Sequence, residues 1–405
     1  MKKSWFLLLA IYGAFLAIGM PDGALGVALP DIRFDVGLSR GQASAIMIVH
    51  SLSYALAAAQ TSRLEKFLKL KWVTGGGIFL LLAGILGYSV SPVLAGFIVS
   101  TVALGAGMGL VDTGANAFAV DHLSAKHMNH LHCFWAMGGA ISPLIMRQMI
   151  IYYDWRMGYM AIFAVQFVIA IILMTSILRG MWEKSAAKRA ETGDRGDMGT
   201  VPLAPREPRQ AKETVPLSPP FLGPKFQYMQ IFIFFIYVAF ELSVTVWTVD
   251  VLLNSPRRDV VFETAGLFPA VYLGALMAGR FIFGYVAEKF SGISVIRIGF
   301  FIAAVGLIAL VFTSNIVGIA FVGFGFAPIF PCLMNETKKR FGSDVLSKLV
   351  GLQIAAAGAG AAIGSFTVGQ ILEHVSIDAF FPVIIAMVAV AFVFNETIER
   401  AFRKV

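Results

Sequence analysis

Twelve stretches of roughly 20 predominantly apolar residues, the length needed to cross a bilayer, follow one another along this chain. They lie near 5–30, 40–62, 72–90, 92–120, 127–153, 157–179, 226–253, 263–287, 293–312, 314–335, 346–373 and 378–397. In hydrocarbon every backbone N–H and C=O must find a partner inside the protein, so such stretches become helices. The expected fold is all-α: a polytopic membrane protein with twelve transmembrane helices in two pseudo-symmetric six-helix bundles. Composition agrees. The 405 residues are 58% hydrophobic and 14% charged, against about 25% charged in a soluble domain. Lys2 and Lys3 before the first run resemble the front of a signal peptide. The run continues past Pro21 and Asp22 to about Pro30, and reads as an uncleaved first span.

The net charge of +8 would raise nucleic-acid binding in a soluble chain. Here the basic residues sit between apolar segments and set topology instead. With the N-terminus in the cytoplasm, 25 of the 32 Lys and Arg fall in cytoplasmic loops and tails, including nine from Arg179 to Lys225. Five (Arg33, Arg40, Arg156, Arg257, Arg258) fall on the other side, and Arg147 and Arg280 lie within spans. That bias predicts a protein of the cell membrane with both termini cytoplasmic. Residues 181–225, rich in Pro, Gly, Lys, Arg and Glu, cannot bury enough apolar area to fold alone. They read as a cytoplasmic linker between an N-terminal bundle (1–180) and a C-terminal bundle (226–405).

The two halves echo each other. Asp22 in the first span is followed nine residues later by Asp31, and Glu241 in the seventh by Asp250. Arg63, Glu65 and Lys66 after the second span match Glu288 and Lys289 after the eighth. Internal duplication with a site where the halves meet is the usual construction of secondary transporters. Cys133 and Cys332 both lie in apolar segments, so neither a disulfide framework nor a cysteine metal motif follows. His130 and His132 are two apart on a helix and point about 200° apart, which excludes a shared ion. No cofactor is implied.

An ionised group at mid-bilayer costs about 2.5–3.5 kcal/mol even on a lenient scale, so such residues face a cavity or a partner. Asp22, Asp112 and Glu241 fall on spans 1, 4 and 7, the first helices of successive triplets. Span 10, which opens the fourth triplet, has Pro328 and Pro331 in place of an acid, and a kink is expected there. Asp112 and Asn116 share a helix face at a spacing of four, and Asn129 and His132 share one at a spacing of three. A carboxylate beside an imidazole makes a proton relay. The bland alternative is a structural hydrogen bond between spans 4 and 5. Trp135 and Trp247 are candidates for stacking on a sugar's apolar face, against the commoner roles of packing or lipid anchoring. His50 reads as a satisfied core histidine, and Asp250, close to the outer interface, as structural.

Gly279, Arg280, Gly284, Glu288, Lys289, Ser291 and Gly292 together resemble the cytoplasmic loop motif of the major facilitator superfamily. The resemblance implies that Arg280, Gly284, Glu288 and Lys289 form a gating latch. The first-half copy around Arg63 and Glu65 lacks its glycine. A narrower resemblance, to the fucose–proton symporter family and related sugar transporters, rests on four patches. These are Gly19, Pro21, Asp22 and Gly26; Gly105, Gly109, Asp112, Gly114 and Asn116; Asn129, His132, Phe134, Gly138, Gly139 and Pro143; and Tyr237, Glu241 and Trp247. It implies that Asp112 takes part in proton coupling or substrate binding.

The leading expectation is a monomeric secondary transporter that carries a small polar solute, a sugar among them, with protons by alternating access. Its partners would be that solute, protons and the lipid bilayer, with no nucleic acid. Efflux of a drug or metabolite is the alternative. Ser142 before Pro143, with no glycine pair following, argues against it. A transport-dead sensor would need an output domain, and 181–225 is too short and polar for one. No nucleotide loop, zinc motif or nucleophile elbow points to an enzyme.

Overall fold

The structure is a computed structural model that describes residues 2–91, 93–122, 125–182, 222–342 and 345–404. Most of the 181–225 segment lies outside the described residues. Among the described residues, twelve helical spans are long and apolar enough to cross a membrane. They are α1 (Lys2–Val36), α2 (Arg40–Leu64), α3 (Leu70–Val90), α4 (Leu94–His122), α5 (Ala125–Tyr152), α6 (Trp155–Leu178), α7 (Pro224–Asn254), α8 (Phe268–Lys289), α9 (Gly292–Phe312), α10a (Ile316–Phe326) with α10b (Ile329–Phe341), α11a (Leu346–Ala359) with α11b (Ser365–His374), and α12 (Phe380–Phe402). Odd-numbered spans run away from the end that holds the termini, and even-numbered spans return.

Local chemistry sets several boundaries. Ser39 caps α2 in a reciprocal box with Gln42, satisfying two orphan backbone donors. Asp154 caps α6 through the Met157 N–H. Asn315 caps α10a through the Val317 N–H, which settles the short gap after α9. The expected break in span 10 falls at Ala327 and Pro328. A proline cannot continue the intrahelical ladder without losing one bond. Pro21, by contrast, lies inside an unbroken α1. In α11 a π-helical turn, Gly360–Gly364, separates the two segments where they pack on α7.

The packing repeats at an interval of six helices. In the first half α1 packs on α5 and α6, α3 on α4 and α6, and α2 on α4. In the second, α7 packs on α11 and α12, α9 on α10 and α12, and α8 on α10. The halves meet through α1 with α7, α2 with α11, and α5 with α8, pairs that the same six-helix shift interchanges. At the α1–α7 crossing a Cβ on Gly26 would stand 2.1 Å from the Thr245 carbonyl oxygen, so only glycine fits.

Two groups of charges are placed differently from the loop reading. Arg340 is not a loop charge but is fully buried in α10b. It donates to Gln230 of α7 at 2.9 Å, and to Asn395 and Glu399 of α12 at 3.0 and 3.4 Å. A buried guanidinium needs such partners to offset its desolvation. At the opposite end Asp250 is fully buried, not solvated at an interface. It accepts from Arg33 and, at 2.7 Å, from the Arg40 Nε. Arg40 also donates its backbone N–H to Glu373 of α11b at 2.8 Å, and Gln370 donates to the Gly41 carbonyl at 3.1 Å. Arg147 of α5 reaches the Glu263 carbonyl at 2.6 Å. These bonds join residues 2–182 to residues 222–404, and all lie at the end away from the termini.

Candidate functional site

A small cleft is lined by Pro21, Asp22 and Leu25 of α1, Met47, His50 and Ser51 of α2, Tyr88 of α3, Leu104 of α4, and, from the other half, Leu242 and Val246 of α7. Its chemistry begins with the α2–α4 crossing. Gly105 and Gly109 are four apart, so both lie on one face of α4. A Cβ there would fall 2.5 Å from the His50 carbonyl oxygen and 2.4 Å from that of Tyr54. Their bare backbone lets α4 approach α2 closely, the role of small residues in membrane helices. One turn further along, Asp112 comes under the Tyr54 phenol, which donates to its carboxylate. The Asn116 amide donates to the other carboxylate oxygen at 2.8 Å. His50 and Tyr54 are themselves four apart on α2. Asp22 and His50 thus face the cleft, and Tyr54, Asp112 and Asn116 continue the polar face toward the termini.

A second polar group sits between α7, α8 and α5. The Glu241 carboxylate meets an Arg280 nitrogen at 3.3 Å. The Arg280 guanidinium lies 5.9 Å from the centre of the Trp135 ring, within the range of cation–π attraction. Tyr272 donates to the Glu241 backbone carbonyl at 3.5 Å, and Tyr237 to the Phe326 carbonyl at 2.9 Å, where α10 breaks.

The structure therefore gathers Asp22, Asp112 and Asn116 with α2, and Glu241 with Arg280 and Trp135. The side chains of Asn129, His132 and Glu288 lie outside the described residues. Trp247 does not face the cleft. It is fully buried, and its indole N–H donates to the Ser365 carbonyl at 3.2 Å, so no solute can stack on it here. Of the residues in the loop motif, Arg280 is turned to Glu241, Lys289 is exposed, and a Cβ at Gly284 would meet nothing within 4 Å. Tyr54, Arg33 and Arg40 are functional candidates that the sequence reading missed. The spacing of Tyr54 from His50 was the available signal, because it puts a phenol on the same face as an intramembrane histidine.

The Major Facilitator Superfamily model matches residues 11–365. Among curated proteins the chain is 29% identical over 147 residues to sodium-dependent glucose transporter 1 of Danio rerio, covering 35% of this chain and 24% of that protein. It is 25% identical over 138 residues to sodium-dependent glucose transporter 1A of Mus musculus, covering 33% and 32%. The matched stretches thus span about a quarter to a third of those relatives. Among solved structures, a D-xylose–proton symporter superposes with TM-score 0.72 at 12% identity, over 96% of this chain and 97% of that one. The xylose transporter XylE from E. coli, in a partially occluded inward open conformation, gives 0.69 at 12% over 97% and 98%. A peptide transporter POT in complex with sulfate gives 0.72 at 12% over 98% and 95%. At such identities these superpositions establish the fold. With its twelve apolar spans and a family match over most of its length, the chain is a multi-pass membrane transporter that belongs to the Major Facilitator Superfamily.

Proposed function

We propose that this transporter is a proton-coupled symporter of a small polar solute, a sugar in the first instance, working by alternating access between an N-terminal bundle (1–180) and a C-terminal bundle (226–405). The observation that carries the reading is the Asp112 carboxylate, held by Tyr54 and Asn116 beside a cleft that Asp22 and His50 line, within otherwise apolar helices. A carboxylate that becomes occluded must be paired or neutralised, because an isolated buried charge is very costly. Protonation linked to solute binding meets that demand, and is the physical reason to couple the two. The sodium-dependent naming of the partial relatives and the proton symporter among the fold neighbours make the ion a direct question for experiment.

The excess of Lys and Arg on the side of the termini favours termini in the cytoplasm and the cell membrane as the site. On that orientation the interbundle bonds around Asp250 close the outer end, and this is an inward-facing state. The latch motif belongs to the inner end, where Arg280 is turned to Glu241 and Lys289 is exposed. Asp112, Asn116, Asp22, Glu241, Asn129 and His132 are the residues assigned to coupling and binding.

The test is proton movement in proteoliposomes with a pH dye inside, a panel of neutral sugars, sugar acids and polyols, and an Asp112→Asn variant alongside. Solute-triggered acidification that disappears in the variant is the expected result. Uptake that follows a sodium gradient and moves no protons would replace the coupling ion. No uptake of any panel member would sink the reading.

A further inference from the structure

Arg280 is a guanidinium within an apolar helix, and among the described residues its ion pairing is a single long contact. It meets Glu241 through a single contact of 3.3 Å. Arg297 and Glu396, elsewhere in the same chain, make two contacts of 2.8 and 2.7 Å, the fork-to-carboxylate geometry that arginine favours. A guanidinium carries five N–H donors. The Arg280 side chain keeps 27% of its surface exposed and Glu241 keeps 17%, so the pair is not sealed from solvent. The Trp135 ring, 5.9 Å away, backs the guanidinium from α5. Among the described residues, the groups that face the pair include Tyr272 of α8, Tyr237 of α7 and Cys133 of α5. None of these three is a carboxylate able to complete the fork.

Resting on the transport reading above, we infer that Arg280 receives a carboxylate borne by the solute, displacing Glu241, and that the substrate class is a polyhydroxylated carboxylate such as a hexuronate. A planar carboxylate arriving at the exposed side of Arg280 gains the two parallel N–H contacts that Glu241 does not make. Two carboxylates at one guanidinium repel each other, and the displaced one is stable in a low-dielectric cleft only with a proton. The solute's negative charge and the proton on Glu241 then cross together, and the loaded site is no more charged than the empty one. Arg280 is thereby a specificity-determining residue, separate from the Asp112 group on α4.

The experiment uses the full chain with three probes: glucuronate, glucose and glucose 6-phosphate. Lumenal acidification is read in proteoliposomes, and ligand-induced shifts of melting temperature are read in detergent. Glucuronate is expected to move protons and raise the melting temperature, with glucose doing neither at equal concentration. Arg280→Gln is expected to weaken the apparent affinity for glucuronate at least tenfold. Arg280→Lys, which keeps the charge but not the fork, is expected to fall between. If glucose moves protons while glucuronate neither moves nor competes, the inference is overturned and the transport reading stands. A response to glucose 6-phosphate alone also overturns it, as does an Arg280→Gln protein with unchanged glucuronate affinity. If no probe moves protons, the proton coupling of the transport reading falls. The melting arm then decides Arg280 separately: a glucuronate shift that Arg280→Gln removes upholds the inference, and no shift overturns it. Should Arg280→Gln fail to fold, the wild-type panel and Arg280→Lys still decide.

Discussion

The Tyr54 phenol reaches Asp112 across two helices, and its removal isolates what one hydrogen bond contributes to the site. Tyr54→Phe keeps the ring and its packing. A hydrogen bond to a charged group is worth about 1.5–3 kcal/mol, so proton-driven uptake should fall roughly 10- to 100-fold in kcat/KM. Solute-triggered acidification of liposomes measures it. An unchanged rate would mean that Tyr54 only ties α2 to α4. Asp112 and Asn116 were legible in the sequence because a spacing of four fixes a shared face within one helix. Tyr54 was not tied to them, since its contact depends on how closely α4 crosses α2. The glycines that permit the crossing are visible in the sequence, but the partner helix is not. Arg280 fails for the opposite reason. Its neighbours in the chain fit a loop motif, and that local fit hid its non-local partner Glu241. Trp247 looked available because an isolated indole carries no mark of which way its helix face turns. Burial against α11b decided it.

At the scale of elements, the spans themselves were read correctly, with α10b running further than the apolar count suggested. Its last turns are polar, so hydropathy ends early. Buried partners on α7 and α12 continue the helix to Phe341. The same limit applies to α1, α2 and α7. Asp250 near the end of α7 looks like an interfacial charge in sequence, whereas the fold makes it the shared acceptor of Arg33 and Arg40. Asp250→Asn removes the charge and keeps the shape. On the alternating-access reading it should weaken closure of that end and shift the population toward the state open there. Distances between spin labels on the α1–α2 and α7–α8 loops would lengthen. An unaltered distance distribution would show that packing at Gly26 and along α2 and α11b holds the end shut without the ion pairs.

For the whole molecule, the repeat of helix pairings at an interval of six gives physical form to the sequence echo between Asp22 and Glu241. Each lies mid-way along the first helix of its half. Orientation is a separate prediction. The basic excess near the termini should place tags at both ends in the cytoplasm. A membrane-impermeant thiol reagent applied to intact cells should label a cysteine introduced at Asp259 in the α7–α8 loop and spare one at Phe67. The reverse pattern would invert the topology and with it the direction assigned to this state.

The clamp around Asp250 has one more consequence. Shut, it is a compact cluster whose acid has no exposed surface, so dissolved ions scarcely reach it. Parted, as the alternating-access reading proposes, it would divide by sign. Arg33 and Arg40 remain on one lip of the mouth, and Asp250 and Glu373 on the other. The opened vestibule would then hold a transverse electric field that draws anions to one wall and cations to the facing wall before either reaches the cleft. Those lips would be wet and within a Debye length of bulk salt, about 8 Å under physiological conditions. On that reading ionic strength would act on the entrance only while it is open, and a bond buried for mechanical closure would become a guide for capture.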